Sequence, residues 1–302
     1  MGAAMNERPE APVTAAVDGT EASLRALDWA ADEARLRGRR LRIVYAFDWP
    51  LYHRVPAGIP NFSVDDLARS IVEEARVRAE ERVPGLRTEA DFKVGDAAPV
   101  LLTEAARAEL AVIGSRGLSR LGSLMLGSTG VELAASARCP VVVVPDREPE
   151  PPTGRVVLGV DGSQAAAAAA EWAFAAGGAR GAALRALTAH GSFSHGRFGG
   201  SETPLHRGSE AAEFEAAAAE ARRMLSESLA GLRERYPQVE VEESAVPGHP
   251  ARVLIDASEN ADVLVVGSRG LGGFKGMLLG SVSQSLLTHG TVPTAVVRAD
   301  TR

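Results

Sequence analysis

The chain has 302 residues, 45% hydrophobic and 24% charged, which is enough apolar content to bury cores and too much for global disorder. At roughly 150 residues per domain the length suggests two domains. Its 33 Lys and Arg face 39 Asp and Glu, a net charge of −6 that argues against a general nucleic-acid binder.

The opening stretch MGAAMNERPEAP has no apolar segment of the secretory type, and no apolar run approaches the ~20 residues of a membrane span. Single Cys139 cannot form an internal disulfide and is unsuited to a structural zinc site. These features lead us to expect a soluble, cytoplasmic protein that engages neither membrane nor nucleic acid. Arginine supplies all but two of the cations (Lys93 and Lys275) and, spread along an Ala-rich chain, carries no functional weight.

In chain order, the apolar segment Val13–Val17 reads as a first strand. It is followed by a helix from Glu21 to Arg37, whose Leu24, Leu27, Ala31 and Ala34 line one face. Leu41–Phe47 predicts a second strand, Val64–Glu81 a helix and Arg87–Val94 a third strand. Ala97–Ala108 predicts a helix, Leu110–Ile113 a fourth strand, Ser128–Ser136 a helix and Val141–Val144 a fifth strand. The stretch PDREPEPPTG, Pro145 to Gly154, has four prolines in ten residues and reads as a stiff linker.

The same series then repeats, with strands at Val156–Val160, Leu184–Ala189, Val239–Val246, Val263–Val266 and Thr294–Val297. Asp18, Gly19 and Trp29 fall on Asp161, Gly162 and Trp172 at an offset of 143. Gly95, Gly114, Gly127 and Pro140 fall on Gly248, Gly267, Gly280 and Pro293 at an offset of 153. The second copy therefore has ten extra residues between its second and third strands. We expect them in a longer, solvated loop, His190 to Gly208, which carries His190, His195 and His206 without compact metal-ligand spacing. The expected domains are residues 12–145 and 154–299, with 1–11 as a disordered N-terminus and 146–153 as the linker.

Five short apolar strands separated by helices predict an α/β fold: two tandem doubly wound domains, each a five-stranded parallel sheet with helices on both faces. Ligands of such folds sit beyond the carboxyl ends of the strands. Two strand ends in each copy stand out there. The fourth strand runs into Gly114–Gly130 in one copy and Gly267–Ser283 in the other, both G-x2-G-x9-G-S with the last Gly-Ser opening a helix. Glycines let backbone N–H groups approach a polyphosphate, and a helix start supplies unpaired N–H groups and a positive dipole end. Ser128 and Ser281 add hydroxyls, and Arg116 and Arg269 add charge. A plainer reading makes the serines ordinary helix caps and the glycines loop residues, and the two roles can coexist.

The first strand of each copy ends in Val-Asp-Gly. Asp18 and Asp161 could accept hydrogen bonds from a base or ribose, or help hold a metal ion on a triphosphate. They could equally be turn residues before the first helix. Phe47-Asp48-Trp49-Pro50-Leu51-Tyr52 gathers aromatics that read as loop packing, Trp29 and Trp172 read as packing residues, and Cys139 as a residue that packs rather than reacts. Neither copy has a complete dinucleotide fingerprint, since Gly270-x-Gly272 lacks its final glycine. A Walker loop is missing too, because Gly273-Phe274-Lys275-Gly276 lacks the Ser or Thr.

The paired G-x2-G-x9-G-S loops with upstream Val-Asp-Gly, and the prolines Pro140 and Pro293 before the last strands, resemble the ATP-binding branch of the universal stress protein family in its tandem two-domain form. The likeness covers Pro12–Val144 and Gly154–Val297. It implies sheets of order 3-2-1-4-5 and ATP, with Mg2+ on the triphosphate near Asp18 and Asp161. It also implies an ATP-binding regulatory role in the stress response, with slow ATPase or ATP-dependent enzyme chemistry and a nucleotide-free scaffold as alternatives. Asp18 and Asp161 would lie near adenine and ribose. Gly114, Arg116, Gly117, Gly127, Ser128 and Thr129 would surround the phosphates of the first site. Gly267, Arg269, Gly270, Gly280, Ser281, Val282 and Ser283 would surround those of the second. The family commonly has a hydroxyl where this chain has Gly130 in copy one and Ser283 in copy two, so the second site is expected to bind more tightly. The resemblance also implies pairing of the final strands of two domains about a pseudo-twofold axis, within one chain here, and leaves a homodimer open. Neither motif supplies an evident general base or nucleophile beside the phosphates.

Overall fold

The computed structural model describes residues 11–47, 64–115, 127–191, 207–272 and 278–300. The chain divides into two compact units between Pro149 and Glu150. In the first, β1 (Val13–Val17), β2 (Leu41–Phe47), β3 (Thr88–Val94), β4 (Leu110–Gly114) and β5 (Val141–Val144) alternate with α1 (Glu21–Leu36), α2 (Val64–Arg82), α3 (Ala97–Ala105) and α4 (Ser128–Ser136). All described pairings are parallel, in the order β3-β2-β1-β4-β5. The second unit has β6 (Arg155–Gly159), β7 (Ala183–His190), β8 (Val241–Pro247), β9 (Val263–Gly267) and β10 (Thr294–Val297), with α5 (Gln164–Arg180), α6 (Arg207–Arg235), α7 (Pro250–Ser258) and α8 (Ser281–His289). Its order is β8-β7-β6-β9-β10, the same winding.

The central strands are apolar on both faces because helices cover both. Every residue of β1 is buried, as is every residue of β5 and β10 at one end of each order, whereas β3 and β8 at the other end are half-exposed. Each buried Val or Leu contributes about 1.5–3 kcal/mol of apolar transfer. The stripe read from α1 is real: Leu24, Leu27, Ala31 and Ala34 are all buried. Boundaries moved by a few residues where turn hydrogen bonds compete with the sheet. Val239, expected in β8, instead donates its N–H to Tyr236 O in the turn after α6.

One expectation is corrected. The segments between β2 and α2 and between β7 and α6 are equally long, residues 48–63 and 191–206. The ten extra residues of the second copy lie in α6, which has 29 residues against 19 in α2. The physical reason is composition: Ser209–Ala221 is built almost wholly of Ala and Glu, strong helix formers, so the insertion propagates as helix rather than loop. Its described residues 212–216 are all exposed, and burial begins with Ala218. His195 and His206 lie outside the described residues, as do Trp49 and Tyr52. Among the described residues no helix is long and apolar enough to cross a membrane.

Both ends of the Pro-rich segment are tied to their own domain. Asp146 pairs with Arg25 of α1 and donates its N–H to Ser115 Oγ at 3.1 Å. Thr153, Gly154 and Arg155 all donate N–H groups to the Asp262 carboxylate, at 2.6, 3.0 and 3.3 Å.

Candidate functional site

The site of the second domain assembles at the carboxyl ends of β6 and β9. At the end of β6, Gly162 adopts φ +79°, which a side chain would disfavour, and turns the chain into α5. The Asp161 carboxylate holds that turn, its Oδ1 accepting Ser163 N–H at 3.0 Å. Ser163 then caps α5 by accepting Ala166 N–H on Oγ at 3.1 Å. The first domain repeats this arrangement with Gly19 at φ +81°, Asp18 Oδ1 accepting from Thr20 N and Oγ1, and Thr20 capping α1. The plainer role weighed for these aspartates is therefore present in both copies.

At the end of β9 the chain approaches α5 so closely that a Cβ on Gly267 would lie 2.8 Å from Ala165 C and Ala166 N. Gly114 is equally constrained, a Cβ there lying 2.9 Å from Ala22 O. These two glycines are needed for packing a strand end against the first helix. The next residue continues the sheet for one step: Ser268 N donates to Val297 O at 2.7 Å, and its carbonyl accepts Gly280 N–H at 2.8 Å. Ser115 makes the matching bonds to Val144 and Gly127, at 2.8 and 3.4 Å.

Gly280 opens α8 at φ −73° with no side-chain cap. Gly127 opens α4 at φ −58°, also uncapped, with open space where a Cβ would be. Neither glycine is demanded by backbone conformation, and neither is among the strongest capping residues. The first-turn N–H groups of Ser281, Val282 and Ser283 have no carbonyl four residues back within the helix, so they face outward as donors at its positive end. Ser281 is exposed and Val282 half-buried.

A cavity of about 480 Å³ lies against this helix start, within the ~300–1,000 Å³ of small-molecule clefts. Asp161, Gly267, Arg269, Gly270, Gly280, Ser281, Val282 and Ser283 all line it. All eight residues singled out in the second copy thus share one cavity. Its remaining walls are largely apolar and were not legible beforehand, among them Leu187, Ala189, Val253 and Leu254. They come from β7 and α7, whose pattern reads only as core. Ser163 also escaped notice, although a hydroxyl two residues after the aspartate recurs as Thr20.

Ser283, although it lines the cavity, already uses its hydroxyl proton within the protein. It is buried and donates to Gly267 O at 2.8 Å and Ser268 O at 3.2 Å, tying α8 to the end of β9. Its counterpart Gly130 is buried without any hydroxyl. In the first domain, Asp18, Gly114, Gly127, Ser128 and Thr129 stand at the positions equivalent to their partners in the second. Arg116 and Gly117 lie outside the described residues.

Two ionisable side chains, Asp161 and Arg269, are found among the described residues lining the cavity. No group of three or more His, Cys, Asp and Glu among the described residues is placed to hold a metal ion by itself. Cys139 is buried beside β5, and loss of solvation pushes its thiol pKa up to about 12, so it stays protonated at neutral pH.

Comparison with known proteins agrees with this architecture. The sequence pattern of the universal stress protein family matches residues 11–145 and again 152–298. A universal stress protein of Mycobacterium tuberculosis is 34% identical over 296 residues, covering 93% of this chain and 94% of that protein. Another from Mycobacterium bovis is 33% identical over 300 residues, covering 96% and 98%. The crystal structure of a universal stress protein from Archaeoglobus fulgidus superposes with a TM-score of 0.63 at 20% identity, covering 95% and 98% of the two chains. With two family domains in one α/β chain of matching length, the protein belongs to the universal stress protein family, in its tandem form.

Proposed function

We propose that the protein is an ATP-binding regulator of the stress response with one nucleotide site per domain, the phosphates held by the G-x2-G-x9-G-S loops. The observation that carries this reading is the cavity of the second domain, whose lining brings together the uncapped start of α8, the Gly267–Gly272 segment and apolar side chains from β7 and α7. A nucleoside triphosphate needs that combination: a flat apolar surface for the base and converging N–H donors for the phosphates. Mg2+ would be held by the triphosphate, with the Asp161 and Asp18 carboxylates nearby. In this reading the role is regulatory: occupancy of the site alters affinity for a partner.

The test uses substitutions that leave the fold content. Ser128 and Ser281 are exposed first-turn residues, where an aspartate improves interaction with the helix dipole by about 0.3–1 kcal/mol. The same carboxylate would stand where a phosphate is to bind. Titration of the full chain with MgATP should give two sites. Ser128→Asp and Ser281→Asp should each remove one of them (at least tenfold weaker), and the double variant both, with unchanged or higher melting temperature. Full ATP binding by the double variant refutes the site. Nucleotide released from denatured protein separates the alternatives: ATP marks a switch, ADP with phosphate release a slow ATPase. No nucleotide, with no thermal shift in millimolar ATP, marks a scaffold.

A further inference from the structure

In the second domain the loop after β9 is folded down onto the aspartate at the end of β6. Asp161 Oδ2 accepts the backbone N–H of Leu271 at 3.3 Å, while Oδ1 stays on Ser163. Ser163 Oγ donates to Arg269 O at 3.2 Å, so the two residues grip the loop on both sides of Gly270. The grip is close: a Cβ on Gly270 would lie 2.2 Å from Asp161 Oδ2. A loop that offers N–H groups to phosphate oxygens is thus already giving one of them to a carboxylate of its own chain. Carboxylate and phosphate oxygens are interchangeable acceptors for such a donor.

The geometry points to Asp161 as an internal latch: its carboxylate occupies an anion position of the phosphate loop and holds the Arg269–Leu271 segment closed until a polyphosphate displaces it. This rests on the nucleotide reading above and assigns Asp161 a role beyond contact with base or ribose. It is a positioning residue that opposes phosphate entry while keeping the loop ordered. Leu271 is 77% exposed, and its N–H makes the contact.

The latch is tested first without nucleotide, on the full chain. Hydrogen exchange of a peptide covering residues 268–272 should quicken about tenfold in Asp161→Asn, the fold-change expected for a charge-assisted hydrogen bond of ~1.5 kcal/mol. The amide keeps the shape of the turn. Gly270→Ala forces loop and carboxylate apart with the charge still present, so it should quicken the same peptide and separate the hydrogen bond from simple charge loss. Unchanged exchange in both variants overturns the latch.

The second measurement compares tripolyphosphate with adenosine in a Ser128→Asp background that leaves the second site. Asp161→Asn should tighten tripolyphosphate about tenfold and leave adenosine within threefold. Parallel weakening of both overturns the latch and makes Asp161 an ordinary ligand residue. Should the parent protein bind neither compound, the nucleotide reading falls, and the exchange data alone decide whether the loop is latched.

Discussion

Single glycines in this chain do different jobs that the sequence motif does not separate. Gly267 and Gly280 are both invariant points of G-x2-G-x9-G-S within the two copies, yet only Gly267 lies against backbone atoms that cannot move aside. A Cβ on Gly280 would sit 3.4 Å from Arg269 Cα and Ser268 O, ordinary contact distance. We therefore predict that Gly267→Ala costs about 1–3 kcal/mol by overpacking a strand end against α5. Gly280→Ala should stay within about 0.5–1 kcal/mol of the parent. Chemical denaturation of both variants checks the contrast, and equal losses would mean that both glycines are there for packing. Gly280→Ala then becomes the informative variant for ATP binding, because loss of affinity with a stable fold points to close ligand approach. Aspartate at Gly114 or Gly267 would confuse the two effects, which is why the exposed serines are the better probes.

Among the elements, α6 differs most from its counterpart. Its inner face repeats that of α2: Met224 packs toward Gly162 as Ile71 packs toward Gly19, each 3.4–3.5 Å from the position of a Cβ. Residues 212–216 of the extra turns are exposed, and Phe214, 43% exposed, meets the His190 ring at a centroid distance of 5.2 Å. Deleting residues 207–216 restores the length of α2, about 15 Å less helix at 1.5 Å per residue. We predict a loss of no more than about 1 kcal/mol, since no described side chain of that stretch is buried. Thermal melting decides, and a drop of more than ~8 °C would show that the extension is part of the core.

The strands and helices were legible because period and β-branched runs are local properties, and the winding followed from alternation. The insertion was misplaced because a sequence offset locates extra residues only between two matched points. Helix propensity, here of Ala and Glu, decides where they fold. For the site, the glycine spacing and Val-Asp-Gly marked the residues that meet at the cavity. The engagement of Ser283 with Gly267 O and of Asp161 with Leu271 N depends on loop closure across more than a dozen and a hundred residues respectively, which no motif encodes.

At the scale of the whole molecule, the acidic balance constrains how a polyanion can be held. With a net charge of −6, long-range attraction cannot draw ATP in, so capture has to come from dipoles within a few ångströms. The first-turn N–H groups of α4 and α8 are such dipoles: neutral as groups, fixed in direction and effective only at contact. Arg269 adds one exposed cation at the second site. Added salt screens the attraction to that arginine and also the repulsion from the rest of the surface, over a Debye length of about 10 Å at 0.1 M. The two effects oppose each other. We predict that the dissociation constant for MgATP changes less than about threefold between 50 and 500 mM NaCl, measured by calorimetry at constant free Mg2+. A basic-patch site would lose affinity steeply over the same range. A tenfold or greater loss would shift the phosphates away from the helix starts and onto cations such as Arg116, Arg120 and Lys275, leaving the glycine loops with the packing role that Gly114 and Gly267 already show.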